Sequence, residues 1–144
     1  MDDRLFTARQ FAMRCANWQE AVKLACLPLE KISAITADYA DAIITTTEIN
    51  GPWYVLSPHF ALPHARPEEG VKSKESHLSL LCLAEGVDFP DHPAITLVIV
   101  LAAANSTGHL ATIQNLVCWL DEDDRLQRLT AIASEAQLFE MLSQ

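Results

Sequence analysis

Five histidines, His59, His64, His77, His92 and His109, are the side chains of this 144-residue sequence best suited to handle a proton or a phosphoryl group near neutral pH. Their settings differ. His64 lies in Ser57-Pro58-His59-Phe60-Ala61-Leu62-Pro63-His64-Ala65-Arg66-Pro67-Glu68-Glu69-Gly70, where three prolines fix φ and withdraw backbone donors. Such a stretch is no helix interior. Phe60, Ala61 and Leu62 are nevertheless apolar enough to be held against a core. A rigid, partly buried loop that holds His64 in one direction suits a nucleophile better than it suits a linker. Arg66, two residues on, adds a fixed positive charge of the kind that contacts phosphate oxygens. His109 stands at the start of a helix directly after an apolar strand, where helix amides gather anions. His92, among Pro90, Asp91 and Pro93, belongs to a solvent loop, and His77 opens a strand as a structural residue. His59, His64 and His109 remain as functional candidates.

The chemistry this implies is nucleophilic. A neutral imidazole, with an ordinary pKa of about 6.5, attacks a phosphoryl group through one ring nitrogen and forms a phosphoramidate. That product keeps a high transfer potential and can pass the group on. The transition state is loose, so positioning and charge stabilisation do most of the work. The requirements are a fixed ring, a donor such as Arg66 or the His109 imidazole, and exposure to a docking partner. No Walker A or kinase glycine-rich loop is present, so no ATP site is evident.

Composition narrows the classes. Half the residues are apolar, which is enough for a real core in a single domain spanning 1–144. The net charge of −9, with ten Lys and Arg in all, argues against nucleic acid. Lys72 and Lys74 read as a solvated face. Met1-Asp2-Asp3-Arg4 opens acidic with no apolar signal region behind it. The longest apolar run, Ala94 to Ala104, is about half of what a bilayer requires, so no membrane insertion is expected. Cys15, Cys26, Cys82 and Cys118 show no CxxC pairing and lie in apolar surroundings, which reads as buried, reduced thiols in a cytoplasmic protein. Neither a cofactor nor a metal is implied.

The elements that must position the histidines can be read in order. Phe11-Ala12-Met13 suggests a short strand. Asn17 with Glu20 forms a capping box for a helix from about Trp18 to Leu29 or a little beyond, bent or closed by Pro28. Thr36 caps a second helix with face Tyr39, Ala42 and Ile43, ended by Asn50-Gly51-Pro52. Trp53 to Leu56 is a strand leading into the proline loop. His77 to Leu83 alternates, with Leu78, Leu80 and Cys82 on one face and Ser79, Leu81 and Leu83 on the other. Glu85-Gly86 reads as a turn, and Ile95 to Ala102 as a central strand covered on both faces. Ser106 or Thr107 caps a helix with the stripe Leu110, Ile113, Leu116 and Val117, ending near Trp119 and Leu120. Asp121 caps a further helix through Leu126, Leu129 and Ile132, and Ser134 with Gln137 opens the last. The expected architecture is α/β: a single mixed sheet of four to five strands with helices on both faces.

Leu62-Pro63-His64-Ala65-Arg66-Pro67-Glu68-Glu69-Gly70 resembles the phosphorylation motif of the type-2 (mannitol/fructose) IIA domains of the bacterial phosphoenolpyruvate:sugar phosphotransferase system. Its Arg-Pro-Glu version is most similar to the ascorbate branch and to a stand-alone mannitol-type protein. The resemblance covers essentially the whole chain, including Asn17-Trp18-Gln19-Glu20-Ala21, Gly51-Pro52-Trp53-Tyr54-Val55, Gly86-Val87-Asp88-Phe89 and the His109 turn before Ile113-Gln114-Asn115-Leu116. It implies that His64 takes a phosphoryl group from the carrier HPr and hands it to a cysteine of a IIB component. It further implies that His109 gives the phosphoryl group a hydrogen bond and that a membrane IIC component is served indirectly. Family members are usually phosphorylated on Nε2. Mannitol-type domains carry an arginine in the helix before the motif; the matching position is Glu48, so the charge-stabilising task falls by expectation to Arg66. Phe60 and Leu62 are candidates for an apolar docking patch, with a core role for Leu62 equally open.

Two other readings compete. A nitrogen-related IIA protein would act on partners through its phosphorylation state instead of feeding a transporter. A metal protein would use His59, His64 and His109, but no carboxylate or thiolate is evidently placed as a fourth ligand.

Overall fold

The computed structural model describes residues 5–143. Among them, five strands form one mixed sheet: β1 (Ala8–Ala12), β2 (Val55–Ser57), β3 (Phe60–Ala61), β4 (His77–Phe89) and β5 (His92–Ala102), in the order β1-β4-β5-β3-β2. Two pairings are parallel, β1 with β4 and β3 with β5, and two antiparallel, β4 with β5 and β2 with β3. Helices α1 (Trp18–Lys31) and α2 (Ala37–Asn50) cover one face of the sheet, and α3 (Ser106–Asp121), α4 (Arg125–Thr130) and α5 (Glu135–Leu142) the other. The α/β sandwich expected from the sequence is therefore the one observed.

The sheet sorts its side chains by alternation. Leu78, Leu80 and Cys82 pack with α3, α4 and α5, while Leu81 and Leu83 pack with α1 and α2. Leu97 to Ala102 of β5 are fully buried, since helices shield both faces of this central strand. Both cores meet on β5, which makes it the stiffest support available to any loop bonded to it.

Several boundaries differ from the sequence reading. Helix α1 ends at Lys31, a little beyond Leu29 as expected, but Pro28 lies inside it and does not close it. Proline deprives the Leu24 carbonyl of its usual i+4 donor, and the Gln10 side chain of β1 donates to that oxygen at 2.9 Å. Trp53 and Tyr54 form a turn before β2 instead of starting it. Asn105, not Ser106 or Thr107, caps α3: its Oδ1 accepts from the Gly108 amide at 2.8 Å. The buried stripe of α3 is Leu116, Trp119 and Leu120 with Ile113 beside it, whereas Leu110 and Val117 face solvent. Asp124, not Asp121, precedes α4. Of the four free cysteines, Cys26 and Cys82 are buried but Cys118 is exposed.

Glu85-Gly86 is not a turn. The β4–β5 hairpin runs on to Pro90-Asp91, and the register shifts between Cys82 and Val87, so Gly86 marks a bulge. There the Ala94 backbone, at φ 55°, approaches closely. A Cβ on Gly86 would lie 2.7 Å from the Ala94 Cα and carbonyl carbon. Gly86→Ala is expected to destabilise the fold by about 1–3 kcal/mol, the usual cost of overpacking; urea denaturation midpoints measure it.

Candidate functional site

The parallel pairing of β3 with β5 sends both strands out of the sheet at the same edge. Leu62 to His64 continue from β3, and Ala103 to His109 continue from β5 into α3. Two imidazoles 45 residues apart in sequence are thereby delivered to one place. The His64 and His109 ring centroids are 4.9 Å apart, with the rings inclined at 67°. They share a cavity of about 680 Å³ with Thr46, Asn50, Trp53, Ala65, Arg66, Pro67, Glu69 and Ser106.

The His64 ring is oriented from within its own loop. Its Nδ1 lies 2.7 Å from the Leu62 carbonyl oxygen, which can only accept, so Nδ1 carries the proton. In the neutral ring the Nε2 lone pair is then left for chemistry. Trp53 stands edge-on to the ring at 6.0 Å between centroids, limiting its rotation. Burial lowers the His64 pKa from its usual value; the Leu62 carbonyl opposes this and the nearby His109 adds to it. The site favours a neutral, nucleophilic imidazole.

His109 stands in the first turn of α3, half-buried, and its amide completes the helix by bonding to the Asn105 carbonyl at 2.9 Å. The amides of Ser106 and Thr107, at the positive end of this 16-residue helix, have no acceptor within it. Ser106 lines the cavity, so this helix end adds donors to the two imidazoles.

Arg66 is in the cavity wall and largely exposed. Its Nε is 3.2 Å from Glu69 Oε1, and the same oxygen accepts from the Arg66 amide at 3.2 Å. Glu68 adds a looser contact at 3.7 Å. Glu69 thus clamps the single 3₁₀ turn Pro67–Glu69 and also offsets part of the arginine charge. Gly70, at φ 143°, closes the loop against the start of α2: its carbonyl accepts from the Thr36 amide at 2.8 Å, and a Cβ there would lie 2.9 Å from the Tyr39 nitrogen.

Other expected residues are placed elsewhere. Phe60 (3% exposed) and Leu62 (1% exposed) are core residues packed with α3 and α5, so neither is a docking residue. The reason is β3 itself, whose pairing with β5 draws both side chains inward. Exposed apolar surface at the cavity comes instead from Trp53, and Leu110, next in sequence to His109, is also exposed. His59 donates from Nδ1 to the Ala94 carbonyl at 2.7 Å and lines a separate cavity with His92, so it does not join His64 and His109. His77 bridges the Thr7 and Ser73 hydroxyls at 2.8 and 2.9 Å, a structural tie. Among the described residues, no set of three His, Cys, Asp or Glu is disposed to hold a metal. Glu48 is exposed on α2 and does not line the cavity; Thr46 and Asn50 do. Sequence reasoning missed Thr46, Asn50, Trp53 and Ser106. Asn50 was legible only as a helix terminator and Trp53 only as a strand residue.

The lowered His64 pKa has a signed consequence. Below about pH 6.5 an unfolded histidine takes up a proton that folded His64 resists, so this residue lowers stability as pH falls through that range. NMR titration is expected to place the His64 midpoint below the usual value. In His109→Asn the midpoint is expected to rise, because the electrostatic interaction with His109 that helps to lower it is lost; a midpoint unmoved by that change would contradict the coupling.

Comparison with known proteins adds an independent line. Residues 5–144 match the family model described as phosphoenolpyruvate-dependent sugar phosphotransferase system, EIIA 2. The mannitol-specific cryptic phosphotransferase enzyme IIA component of Escherichia coli K12 is 40% identical over 129 residues, covering 88% of this chain and 86% of the relative. The solution structure under that name from E. coli superposes with a TM-score of 0.86 at 37% identity, covering 97% of this chain and 96% of the other. The ascorbate-specific EIIA component of E. coli K12 is 31% identical over 129 residues, covering 88% and 82%. A complex of mannitol enzyme IIA with phosphorylated enzyme IIB from E. coli matches with a TM-score of 0.68 at 26% identity, covering 96% and 92%. With the family model spanning nearly all of it, and with a fold that matches, this chain belongs to the EIIA type-2 family of the phosphoenolpyruvate-dependent sugar phosphotransferase system, whose members are phosphotransfer proteins.

Proposed function

We propose that the protein is a cytoplasmic phosphocarrier that accepts a phosphoryl group from phospho-HPr on His64 and passes it to a cysteine of a IIB component. The uptake served is that of a mannitol-type polyol or of ascorbate, the substrates carried in the names of its relatives. The sugar is selected mainly by the membrane IIC component, which this chain serves indirectly. The observation that carries the reading is the Nδ1–H bond from His64 to Leu62, which leaves Nε2 as the nucleophile in a cavity shared with His109.

The steps balance without a cofactor. The Nε2 lone pair attacks phosphorus of the donor's phosphohistidine, the donor P–N bond breaks, and a new P–N bond forms on His64. Nδ1 keeps its proton, and the Leu62 carbonyl stabilises the positive charge that the substituted ring acquires. His109, the N-terminal amides of α3 and Arg66 supply donors to the phosphoryl oxygens as charge shifts among them. A thiolate of IIB then attacks phosphorus, the P–Nε2 bond breaks, and the imidazole returns to its neutral form. Trp53 and Leu110 provide the apolar rim on which protein partners dock. The IIA–IIB complex among the structural relatives supports the acceptor half of this scheme.

The regulatory alternative, in which phosphorylation state itself is the signal, has less behind it: the likeness to a nitrogen regulatory IIA protein is 23% identical and speaks to the fold alone. Incubation with phosphoenolpyruvate, enzyme I and HPr is expected to give an acid-labile adduct on the wild type and none on His64→Ala. His109→Ala is expected to slow acceptance about 10²-fold, the scale of losing one donor to a developing anion. Arg66→Ala is expected to slow it by less, about tenfold, because Glu69 already shares its charge; an unchanged rate rejects the role given to Arg66. Transfer onward to the cysteine of a candidate IIB protein separates carrier from regulator.

A further inference from the structure

The histidine loop is joined to β5 by a rung that is not a backbone bond. The β3–β5 register, Phe60 opposite Leu97 and Ala61 opposite Val98, carries forward to His64 opposite Leu101. A parallel pair at that position requires two bonds, Leu101 amide to Pro63 carbonyl and Ala65 amide to Leu101 carbonyl. The first is present at 3.1 Å. The second is interrupted: the Ala65 amide donates to the Tyr39 hydroxyl at 3.1 Å, and that hydroxyl donates to the Leu101 carbonyl at 2.6 Å. Tyr39 reaches this point from the first turn of α2 and is fully buried.

We infer that Tyr39 is a positioning residue for the His64 nucleophile, its hydroxyl wedged into the β3–β5 ladder at the rung where the ladder would otherwise close on the histidine. The hydroxyl spreads the chain after His64 away from β5 while keeping both backbone groups satisfied. It thereby sets where the ring emerges and whether Nδ1 can still reach Leu62. The same tyrosine meets the far end of the loop, where Gly70 packs on its backbone nitrogen. Loop residues 64–70 are therefore gauged against one residue of α2 at both ends. Burial pushes the Tyr39 phenol pKa upward, so the group stays protonated and able to donate.

The inference rests on the phosphocarrier reading for its rate measurement but not for its spectroscopic one. Tyr39→Phe removes the wedge with the ring volume kept. Tyr54→Phe is the control, since the Tyr54 hydroxyl is also buried but pairs with the Thr47 side chain of α2. In Tyr39→Phe, acceptance from phospho-HPr, normalised to the folded fraction by circular dichroism, is expected to fall about 10- to 100-fold, as for a nucleophile displaced by about an ångström. The ¹⁵N shifts of the His64 ring are expected to move from a fixed Nδ1–H tautomer toward a mixture. Tyr54→Phe is expected to leave both unchanged. A Tyr39→Phe protein with wild-type normalised rate and unaltered ring shifts overturns the inference, as does an equal response in both variants. If the wild type itself accepts no phosphoryl group, the carrier reading fails, yet the ring shifts of Tyr39→Phe still decide the positioning role.

Discussion

A hydrogen bond from the Leu101 amide to the Pro63 carbonyl joins the histidine loop to the most deeply buried strand of the molecule. What the site can do depends on that attachment. A loop with three prolines has few donors of its own and cannot knit itself into a rigid body, but its carbonyls remain available. Pro63 offers one to β5, and Leu62 offers another to His64. The prolines thus restrict the chain and turn its surviving polar groups into fixed attachment points. Both helical layers press on β5, so the ring inherits the rigidity of the whole core.

Parallel pairing supplies the second half of the site. Had β3 run antiparallel to β5, the ends of the two strands would have opened at opposite edges, and His64 and His109 could not have met. The chain instead spends the long β4–β5 hairpin between them, which lets β5 return alongside β3 with the same direction. The bulge at Gly86 and the turn at Asp91 are therefore part of the site's architecture, though both lie far from it in sequence. Asn105 finishes the arrangement by capping α3 so that Ser106 and His109 are presented from its first turn.

How much of this the sequence disclosed follows from which interactions are local. The proline loop, the alternation of Leu78 to Leu83 and the apolar run of β5 are written in neighbouring residues, and from them came the sheet, its two covered faces and a fixed loop that holds His64. What lay hidden is long-range. Phe60 reads as a docking residue and Leu62 equally as dock or core because a two-residue strand is too short to show alternation. Asn105, Ser106 and Thr107 are all competent caps, and backbone angles alone choose among them. The stripe of α3 reads one face too far round because Leu110 is apolar yet exposed. The Tyr39 hydroxyl could not be read at all: a helix pattern registers the ring as core and is silent about a phenol that reaches across 62 residues to Leu101.

The charges placed around the cavity bear on how such a site would carry out the proposed transfer. A dedicated cation pointed at the bound phosphoryl group would hold the resting phosphohistidine as firmly as the transition state. Uniform binding of that kind does not speed transfer and deepens the well from which the group must leave. Here α2 turns the neutral side chains of Thr46 and Asn50 to the cavity, and the nearby Arg66 is already engaged through Nε with Glu69. The remaining donors, an imidazole and the helix amides, are fixed dipoles that gain most when charge concentrates on the phosphoryl oxygens in transit. An acidic chain with a carboxylate-tempered arginine at this cavity thus accords with the carrier role proposed above, in which a group is held briefly and released.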